Sequence, residues 1–327
     1  MPQALRRMSN VSFRDEHPDP GDGREEILFG LRQAQKSVNP KWLYDQRGSE
    51  LFDSITRLPE YYPTRTEVGI LTSHGAEISE CCGHECLFIE PGSGSSEKVR
   101  ILLEWLRPSA YVPVDISAEF LQASAIALGA EYPWLDIYAV CADFNRDWSF
   151  IEDLTDEKRV VFYPGSTIGN LEPDMAKDFL LRLSALIGTS GGAVIGVDTH
   201  KSSARLNAAY NDSQGVTAQF NLNVLRRLNA LLEANFDESS FSHHAFYNEE
   251  RRRIEMHLVS ERAQQVTVAG MQVEFAAGES IHTENSYKYT PEEFGALAAS
   301  AGLEVLRSWL DDEELFGVYY LRRAAGA

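Results

Sequence analysis

From about residue 86 the chain alternates short apolar runs with stretches of helical periodicity. The runs that predict strands are CLFIEPGSG (86–94), AYVPVDIS (110–117), LDIYAVCADF (135–144), RVVFYPGSTIGN (159–170) and GGAVIGVDTH (191–200). Each run is nearly continuous in apolar residues, which is typical of strands that are buried on both faces. The pattern therefore predicts a doubly wound α/β fold with a parallel sheet.

This alternation is interrupted between residues 201 and 290. Helical text over 204–236 precedes three strand-like segments, RRRIEMHLVS, QQVTVAGMQVEFAAG and SIHTENSYKY. The helix PEEFGALAASAG and the strands EVLRSWLDD and FGVYYLRR then resume the first pattern. We expect one domain of residues 67–200 plus 291–327, interrupted by an α+β domain of 25–66 plus 201–290. Residues 1–24 are polar, and we expect them to be a disordered lead-in.

The charge of the chain restricts the classes of molecule that it could bind. Its 327 residues carry a formal net charge of −19, which repels phosphate backbones and anionic lipid headgroups. No apolar run approaches the roughly 20 residues of a membrane span, and no apolar stretch follows the early arginines as in a secretory signal. We therefore expect a cytoplasmic protein that binds neither nucleic acid nor membranes, and we expect a monomer.

Four cysteines are present, and three of them cluster with a histidine in CCGHEC (81–86). Adjacent cysteines lack the two-residue ligand spacing of a zinc knuckle. The cluster is more simply a helix end that leads into a buried strand. We therefore expect reduced thiols and no metal site.

The first strand runs into the loop EPGSGSSEK (90–98). Its glycines permit a tight turn and let a ligand approach the backbone, and the next helix offers its positive N-terminus. The second strand ends in Asp115, where an acid can bind both ribose hydroxyls. The third ends in Asp143 and Phe144, which suit an adenine amino group and ring face. Since these strand ends converge on one edge of a sheet, they predict a nucleoside-binding crevice.

Residue 97 helps to choose the nucleoside ligand. A dinucleotide fingerprint requires a third glycine there, but the chain has Glu97, a carboxylate where pyrophosphate would lie. S-adenosylmethionine has no phosphate and carries a sulfonium cation, which suits the acidic loop, and Lys98 could bind its carboxylate. No G-x-x-x-x-G-K-[ST] phosphate loop occurs. A methyl donor is favoured, and a nicotinamide cofactor stays as the alternative.

A second glycine-rich turn, PGSTIGNL (164–171), follows the fourth strand. Asn170 can donate and accept hydrogen bonds, so it fits a zwitterionic head group, although it could simply hold its own turn. Before the first strand, Tyr44, Tyr61 and Tyr62 flank a segment that could bring phenol hydroxyls to a substrate, or could only pack an interface.

The segment HTENSYK (282–288) offers a third candidate. In a strand, Glu284 and Ser286 would point the same way, and such a pair could hydrogen-bond both edges of an imidazole. The alternative is a solvated strand face.

Five stretches together resemble one known family: PKWLYDQRGSELFDSITRLPEYYPTRTE, EPGSGSSEK, PGSTIGNL, AYNDSQGVTAQFN and TENSYKY. They are similar to the histidine Nα-methyltransferases of ergothioneine biosynthesis, over about residues 35–325. The resemblance implies a seven-stranded class I methyltransferase domain that binds S-adenosylmethionine, with an additional substrate-binding domain. It also implies trimethylation of L-histidine to hercynine, the first step of ergothioneine biosynthesis.

The resemblance also implies roles for individual residues. The methyl donor would be held by Tyr44, Gly92, Lys98, Asp115, Asp143 and Phe144. The substrate would be bound by Tyr61, Asn170, Tyr210, Phe220, Met256, Glu284 and Ser286. Asn170 and Tyr210 would bind the carboxylate, and Tyr61, Glu284 and Ser286 the imidazole, between apolar walls. Tyr44 would lie beside the amine and the methyl group, so Tyr44 and Asn170 are the expected catalytic residues.

Several alternatives stay open on the sequence. An N-methyltransferase of the same fold could act on another aromatic amino acid, such as a tryptophan-like amine. A nicotinamide-dependent oxidoreductase is disfavoured by Glu97. A non-catalytic module could also have kept the donor pocket, although Tyr44 and Asn170 argue against it.

Overall fold

The computed structural model describes residues 6–8, 10–16, 20–144, 148, 151 and 158–326. Its strands are β1 (Arg6–Met8), β2 (Val11–Asp15), β3 (Lys36–Ser37), β4 (Leu87–Pro91), β5 (Ala110–Asp115), β6 (Asp136–Cys141), β7 (Arg159–Tyr163), β8 (Gly192–Asp198), β9 (Phe241–Asn248), β10 (Arg253–Ser260), β11 (Gln264–Val268), β12 (Met271–Phe275), β13 (Ser280–Tyr287), β14 (Leu303–Leu310) and β15 (Phe316–Arg323).

Within these described ranges the α-helices are α1 (Pro20–Leu31), α2 (Gln46–Ile55), α3 (Tyr62–Cys82), α4 (Glu97–Leu106), α5 (Ala118–Glu131), α6 (Pro173–Ile187), α7 (Ser203–Tyr210), α8 (Val216–Leu232) and α9 (Pro291–Ser300). None of the helices in the part of the chain that the structure describes is both long and apolar enough to cross a membrane.

Two compact units divide the chain. The sheet unit comprises the described residues of 1–17, 63–200 and 287–327, and the insert unit those of 18–62 and 201–286. The bounds expected from sequence for the second unit were 25–66 plus 201–290. The observed divisions fall at 17/18, 62/63, 200/201 and 286/287.

The sheet unit is built on a nine-stranded sheet in the order β1-β2-β6-β5-β4-β7-β8-β15-β14. In this order, β2, β6, β5, β4, β7 and β8 pair in parallel. β15 then pairs antiparallel with β8, and β14 pairs antiparallel with β15. Apolar side chains of α3, α4 and α5 share one core with the sheet, and those of α6 and α9 share a second one. Helices therefore cover both faces, which confirms the doubly wound α/β prediction.

The expected disordered lead-in is wrong for most of the described residues before 25. Val11–Asp15 pairs in parallel with β6, and α1 begins at Pro20. Val11 is buried, and the Asn10 amide donates to the carbonyls of Gly129, Tyr132 and Leu135 at the end of α5. Pairing with β6 stabilises this short polar segment, whose own hydrophobicity is too low to do so. Residues 1–5, 9 and 17–19 lie outside the described residues.

The insert unit contains the sheet β3-β13-β10-β9 and the hairpin β11-β12. α8 packs on β9 and β10 and also contacts α2. The sequence predicted the three strand-like segments but missed β9, whose text FSHHAFYN is rich in histidine and serine. Ala269 and Gly270 connect β11 to β12 in a tight hairpin turn, with φ values of +49° and +83°.

Helix α3 ends at Cys82, and β4 begins at Leu87 with every residue buried. The interpretation of CCGHEC as a helix end that leads into a buried strand is therefore confirmed. Burial raises the pKa of the Cys82 thiol well above its ordinary value, so this side chain stays protonated and packs as an apolar group.

Candidate active site

The loop after β4 turns sharply because two glycines adopt left-handed backbone conformations. Gly92 has φ +70° and Gly94 has φ +51°, a region that side chains other than glycine rarely enter. Gly92 is solvent-exposed, and the following helix α4 begins at Glu97. The loop thus presents bare backbone at the carboxyl edge of the sheet, next to a helix N-terminus.

Asp115 lies at the end of β5 and is tied to this loop. Its carboxylate accepts hydrogen bonds from the backbone N–H of Gly94 and of Ser117, both at 3.0 Å. Burial raises the pKa of Asp115, and the two N–H donors oppose that shift. The carboxylate is therefore held in a fixed orientation.

Phe144 follows β6 and lies beside Gly92. A Cβ atom added at Gly92 would lie 3.5 Å from Phe144 Cε1, in van der Waals contact with the ring. The Phe144 ring packs edge-on against Tyr163 with centroids 6.0 Å apart, and Asp143 is buried. The strand ends of β4, β5 and β6 thus bring together the glycine, the two acids and the aromatic ring that the sequence predicted to converge. This donor set fits a phosphate-free nucleoside.

Lys98 forms an ion pair with Glu67, which was not predicted from the sequence. Its Nζ lies 2.5 Å from Oε2 of Glu67, a fully buried residue of α3. The same carboxylate accepts the backbone N–H of Gly165, at 3.0 and 2.9 Å from its two oxygens. Glu67 thereby fixes both the lysine and the 164–171 turn. A lysine has three donors, so Lys98 keeps hydrogens for a ligand carboxylate.

Glu90 is a further buried acid of this region. It is 2% exposed, and the Tyr111 hydroxyl donates to it. Burial raises the pKa of Glu90 to about 8, with Lys98 acting in the opposite direction. The loop is therefore less negative at neutral pH than its sequence indicates, since this carboxyl retains its proton.

Asn170 ends a short 3₁₀ turn, Thr167–Asn170, that other groups stabilise. Thr167 Oγ1 donates to the Pro164 carbonyl at 2.8 Å, and Ser166 Oγ accepts the backbone N–H of Asp198 at 2.9 Å. Among the described residues, no hydrogen bond joins the Asn170 side chain to its own turn. The alternative that Asn170 merely holds the turn is therefore not supported, and its half-buried amide is available to a ligand.

In the insert unit, five aromatic side chains form a continuous cluster, here called the aromatic cluster: Tyr44, Phe52, Tyr61, Tyr210 and Phe220. Tyr44 meets Phe52 and Phe220 at 5.6 and 5.4 Å between ring centroids, and Tyr61 meets Tyr210 at 6.1 Å. Four of the five were predicted to bind ligands. Phe52 was not predicted to bind a ligand, but its ring is in contact with three of the others.

The backbone on both sides of Tyr44 is held by hydrogen bonds, and these fix the position of the tyrosine. Asp45 caps α2 by accepting the N–H of Gly48 at 2.7 Å, and it also accepts from the Asn223 amide of α8 at 2.8 Å. Arg227, also on α8, donates to two carbonyls of the turn before Tyr44. A Cβ at Gly48 would lie 1.8 Å from the Leu43 carbonyl oxygen, so only glycine fits there.

Tyr62 differs from the other two tyrosines of its segment. It is 2% exposed, and Lys201 Nζ lies over its ring at 4.6 Å from the centroid. Packing, the alternative left open by the sequence, is the role that these contacts support for Tyr62.

Glu284 and Ser286 lie on β13 and are buried, at 7% and 3% exposure. The solvated strand face is therefore wrong. The Tyr210 hydroxyl donates to Ser286 Oγ at 2.8 Å, which connects this strand to the aromatic cluster. Met256, on β10, is also buried. A buried carboxylate and a buried hydroxyl beside aromatic rings suit a flat polar ring such as imidazole.

A separate polar cluster contains Glu255, His257 and His282, with potential ligand atoms within 4.8 Å of one another. Glu255 accepts from Arg253 Nε at 2.9 Å, and the rings of His257 and His282 stack at 4.7 Å with 11° between their planes. A metal bound by imidazole lies in the ring plane, and two stacked parallel rings do not share one. The arrangement is an ion-paired stack, and we assign no metal to it.

The strand order β6-β5-β4-β7-β8 with an antiparallel closing pair, and the acidic glycine loop at its carboxyl edge, define an α/β protein of the class I methyltransferase type. The chain matches the family described as histidine-specific methyltransferase, SAM-dependent, over residues 23–323. It belongs to that family of S-adenosylmethionine-dependent enzymes. The nicotinamide and non-catalytic alternatives are therefore set aside.

Individual relatives agree with this assignment. The chain is 44% identical to a histidine N-alpha-methyltransferase of Mycolicibacterium smegmatis, over 90% of this chain and 93% of that one. It is 32% identical to ergothioneine biosynthesis protein 1 of Neurospora crassa, over 91% of this chain and 34% of that longer protein. It is also 25% identical to a 4-dimethylallyltryptophan N-methyltransferase of Aspergillus fumigatus, over 91% and 93%.

Proposed function

We propose that this chain transfers methyl groups from S-adenosylmethionine to the α-amino nitrogen of L-histidine, one at a time, until hercynine is formed. The observation that supports this substrate most directly is the burial of Glu284 and Ser286, with Tyr210 donating to Ser286. An amino acid with an apolar side chain would bring no hydrogen-bonding group to the Glu284 carboxylate and the Ser286 hydroxyl, so it should react more slowly than histidine. Hercynine made in this way would enter ergothioneine biosynthesis.

The methyl donor supplies an electrophilic methyl group on a sulfonium. We propose that Asp115 binds its ribose, Asp143 and Phe144 its adenine, and Lys98 its carboxylate, with Gly92 allowing close approach. Glu67 supports this assignment, since it holds the lysine in place and is itself fully buried.

For the acceptor, we propose that Asn170 and Tyr210 bind the carboxylate, while Tyr61, Glu284 and Ser286 bind the imidazole between Phe220 and Met256. Anchoring the carboxylate and the imidazole separately leaves the nitrogen free to rotate, so that the mono- and dimethylated amines can react in turn. Tyr44 would lie beside the amine.

The amine must lose its proton before it attacks in line with the departing sulfonium. No strong base is evident among the proposed acceptor residues, so the enzyme would bind the neutral amine and release the proton through water. Alignment of the two reactants then supplies most of the acceleration, up to roughly 7–11 kcal/mol of the barrier.

The test is to incubate the protein with isotopically labelled S-adenosylmethionine and a panel of amino acids, followed by mass spectrometry of the products. We expect a trimethylated α-amine on histidine and little label elsewhere. Preferred methylation of tryptophan or its derivatives would replace histidine as the substrate. A label on the imidazole ring would contradict the α-amine as the acceptor.

We also propose a monomer in the cytoplasm. Four free thiols support a reducing compartment, and the strong negative charge disfavours self-association. Sedimentation velocity would test the monomer.

A further inference from the structure

Asn221 is a fully buried amide in the middle of α8, next to Phe220. Its Nδ2 donates to the His257 carbonyl of β10 at 3.0 Å and lies 2.9 Å from His243 Nδ1 of β9. Its Oδ1 accepts from the Thr283 hydroxyl of β13 at 2.6 Å. One side chain thus joins a helix to three strands of the insert sheet.

The direction of each hydrogen bond in this network is fixed by backbone carbonyls, which can only accept. The His257 carbonyl places the amide nitrogen of Asn221 on its side, so the second N–H points at an unprotonated His243 Nδ1. His243 Nε2 then carries the hydrogen and donates to the Tyr210 carbonyl at 2.9 Å. The arrangement therefore requires a neutral His243 in one tautomer.

Burial keeps His243 in that state, because it lowers the pKa of the imidazole. Two further groups act on this ring electrostatically. His244, on the same strand, disfavours the protonated form, and Asp212, in the connection between α7 and α8, favours it. The histidine is therefore neutral at the pH of the cytoplasm.

The network ends at residues adjacent to the proposed substrate contacts. Thr283 immediately precedes Glu284, and its hydroxyl also lies 3.1 Å from the Met256 carbonyl. Tyr210 is itself a proposed substrate contact, and its hydroxyl reaches Ser286. Asn221 is therefore joined, by one or two hydrogen bonds, to the elements that bear Glu284, Met256 and Tyr210, which are β13, β10 and α7.

We propose that Asn221 is a positioning residue for substrate selection, which holds Glu284, Met256 and Tyr210 in one fixed arrangement through Thr283 and His243. This inference rests on the proposed function. A fully satisfied buried network specifies one packing arrangement, and a binding site that loosens by a fraction of an ångström loses selectivity. Asn221 itself need not touch the substrate.

The main test is Asn221→Asp, which replaces the N–H donor by an oxygen of the same size. That oxygen would face the His257 carbonyl and the lone pair of His243 at high pH, and one added proton, on the aspartate or on His243, would restore one of the two lost hydrogen bonds. We expect kcat/KM for histidine to fall about tenfold or more at pH 8.5, and the ratio of variant to wild type to recover toward pH 6.5. Taking the ratio at each pH cancels the ionisation of the substrate.

A second variant, Thr283→Val, keeps the side-chain shape and removes only the hydroxyl. We expect KM for histidine to rise about fivefold or more, with the Kd for S-adenosylmethionine within twofold of wild type by calorimetry. The matched control is Asn229→Ala on the same helix, which loses two hydrogen bonds to Phe236. That control should lower Tm and leave KM for histidine unchanged.

A flat pH ratio for Asn221→Asp, together with a wild-type KM for Thr283→Val, would overturn the positioning role while leaving the proposed function intact. An equal rise in KM for Asn229→Ala would also overturn it, because the effect would then be general loosening. A wild-type protein that leaves histidine unmethylated would instead refute the proposed function, and this inference with it.

Discussion

Glu284 is a carboxylate at 7% exposure, and the N–H of a substrate imidazole could donate a hydrogen bond to it. We expect Glu284→Ala to lower kcat/KM for histidine by about 100-fold or more, while the Kd for S-adenosylmethionine changes little. The matched control is Glu274→Ala, an exposed glutamate on β12 of the same unit. Unchanged kcat/KM for histidine in Glu284→Ala would contradict the imidazole assignment.

Asp115 is held by two backbone N–H groups at the end of β5. We expect Asp115→Ala to weaken S-adenosylmethionine binding about tenfold or more, because two ribose hydroxyls would lose a charged acceptor. Isothermal calorimetry gives the Kd directly. Asp136→Ala, at the amino end of the adjacent strand β6, should bind the methyl donor like wild type.

Because the pKa of Glu90 is raised in the folded protein, the free energy of unfolding should depend on pH. Its pKa is about 8 in the folded protein and near its ordinary value in the unfolded chain, so the folded state binds more protons between these values. Its contribution to stability is present below the unfolded pKa and is lost as the pH rises through about 8. Glu90→Gln should therefore gain Tm relative to wild type between about pH 5 and about pH 9. A difference in Tm that is independent of pH would show that Glu90 does not titrate in this range.

The sequence located Asp115, Phe144 and Glu284 because strand ends and strand parity restrict where side chains can lie. It could not locate Glu67 or Asn221. Both are polar residues in helical text, where a solvent-facing position is the usual expectation, and only the packing of distant segments buries them. The contacts of Phe52 could not be predicted for a related reason, since spacing along a helix does not reveal which aromatic rings meet it.

Among the elements, α3, α4 and the 164–171 turn are joined through the single carboxylate of Glu67. Glu67→Ala would leave Lys98 without its buried partner and the Gly165 N–H without an acceptor. We expect a loss of about 3 kcal/mol in the free energy of unfolding, measured by urea denaturation. Glu80→Ala, at an exposed glutamate of the same helix, is the control and should change stability little. Equal losses in the two variants would contradict the special role of Glu67.

The strands of the sheet unit could be predicted because short, continuous apolar runs between glycine-rich turns are typical of strands buried on both faces. β2 and β9 could not. β2 has five residues, two of them charged, and β9 carries two histidines, so neither contains a continuous apolar run. Each pairs with a neighbouring strand, β2 with β6 and β9 with β10.

At the scale of the whole molecule, the net charge of −19 opposes compactness through self-repulsion. Salt screens this repulsion, with a Debye length of about 10 Å at 0.1 M. We expect Tm to rise between about 10 and about 200 mM NaCl, measured by scanning calorimetry in the absence of ligand. A Tm that falls with salt would mean that attractive ion pairs outweigh the repulsion.

The two outer strands of the large sheet differ from its interior ones. β1 has only three residues, and β14 contains a register shift between Val305 and Arg307. A long, flat margin would offer unpaired N–H and carbonyl groups as a template for stacking further molecules. A short strand on one side and a register shift on the other interrupt that template, which disfavours edge-to-edge pairing between sheets of neighbouring molecules.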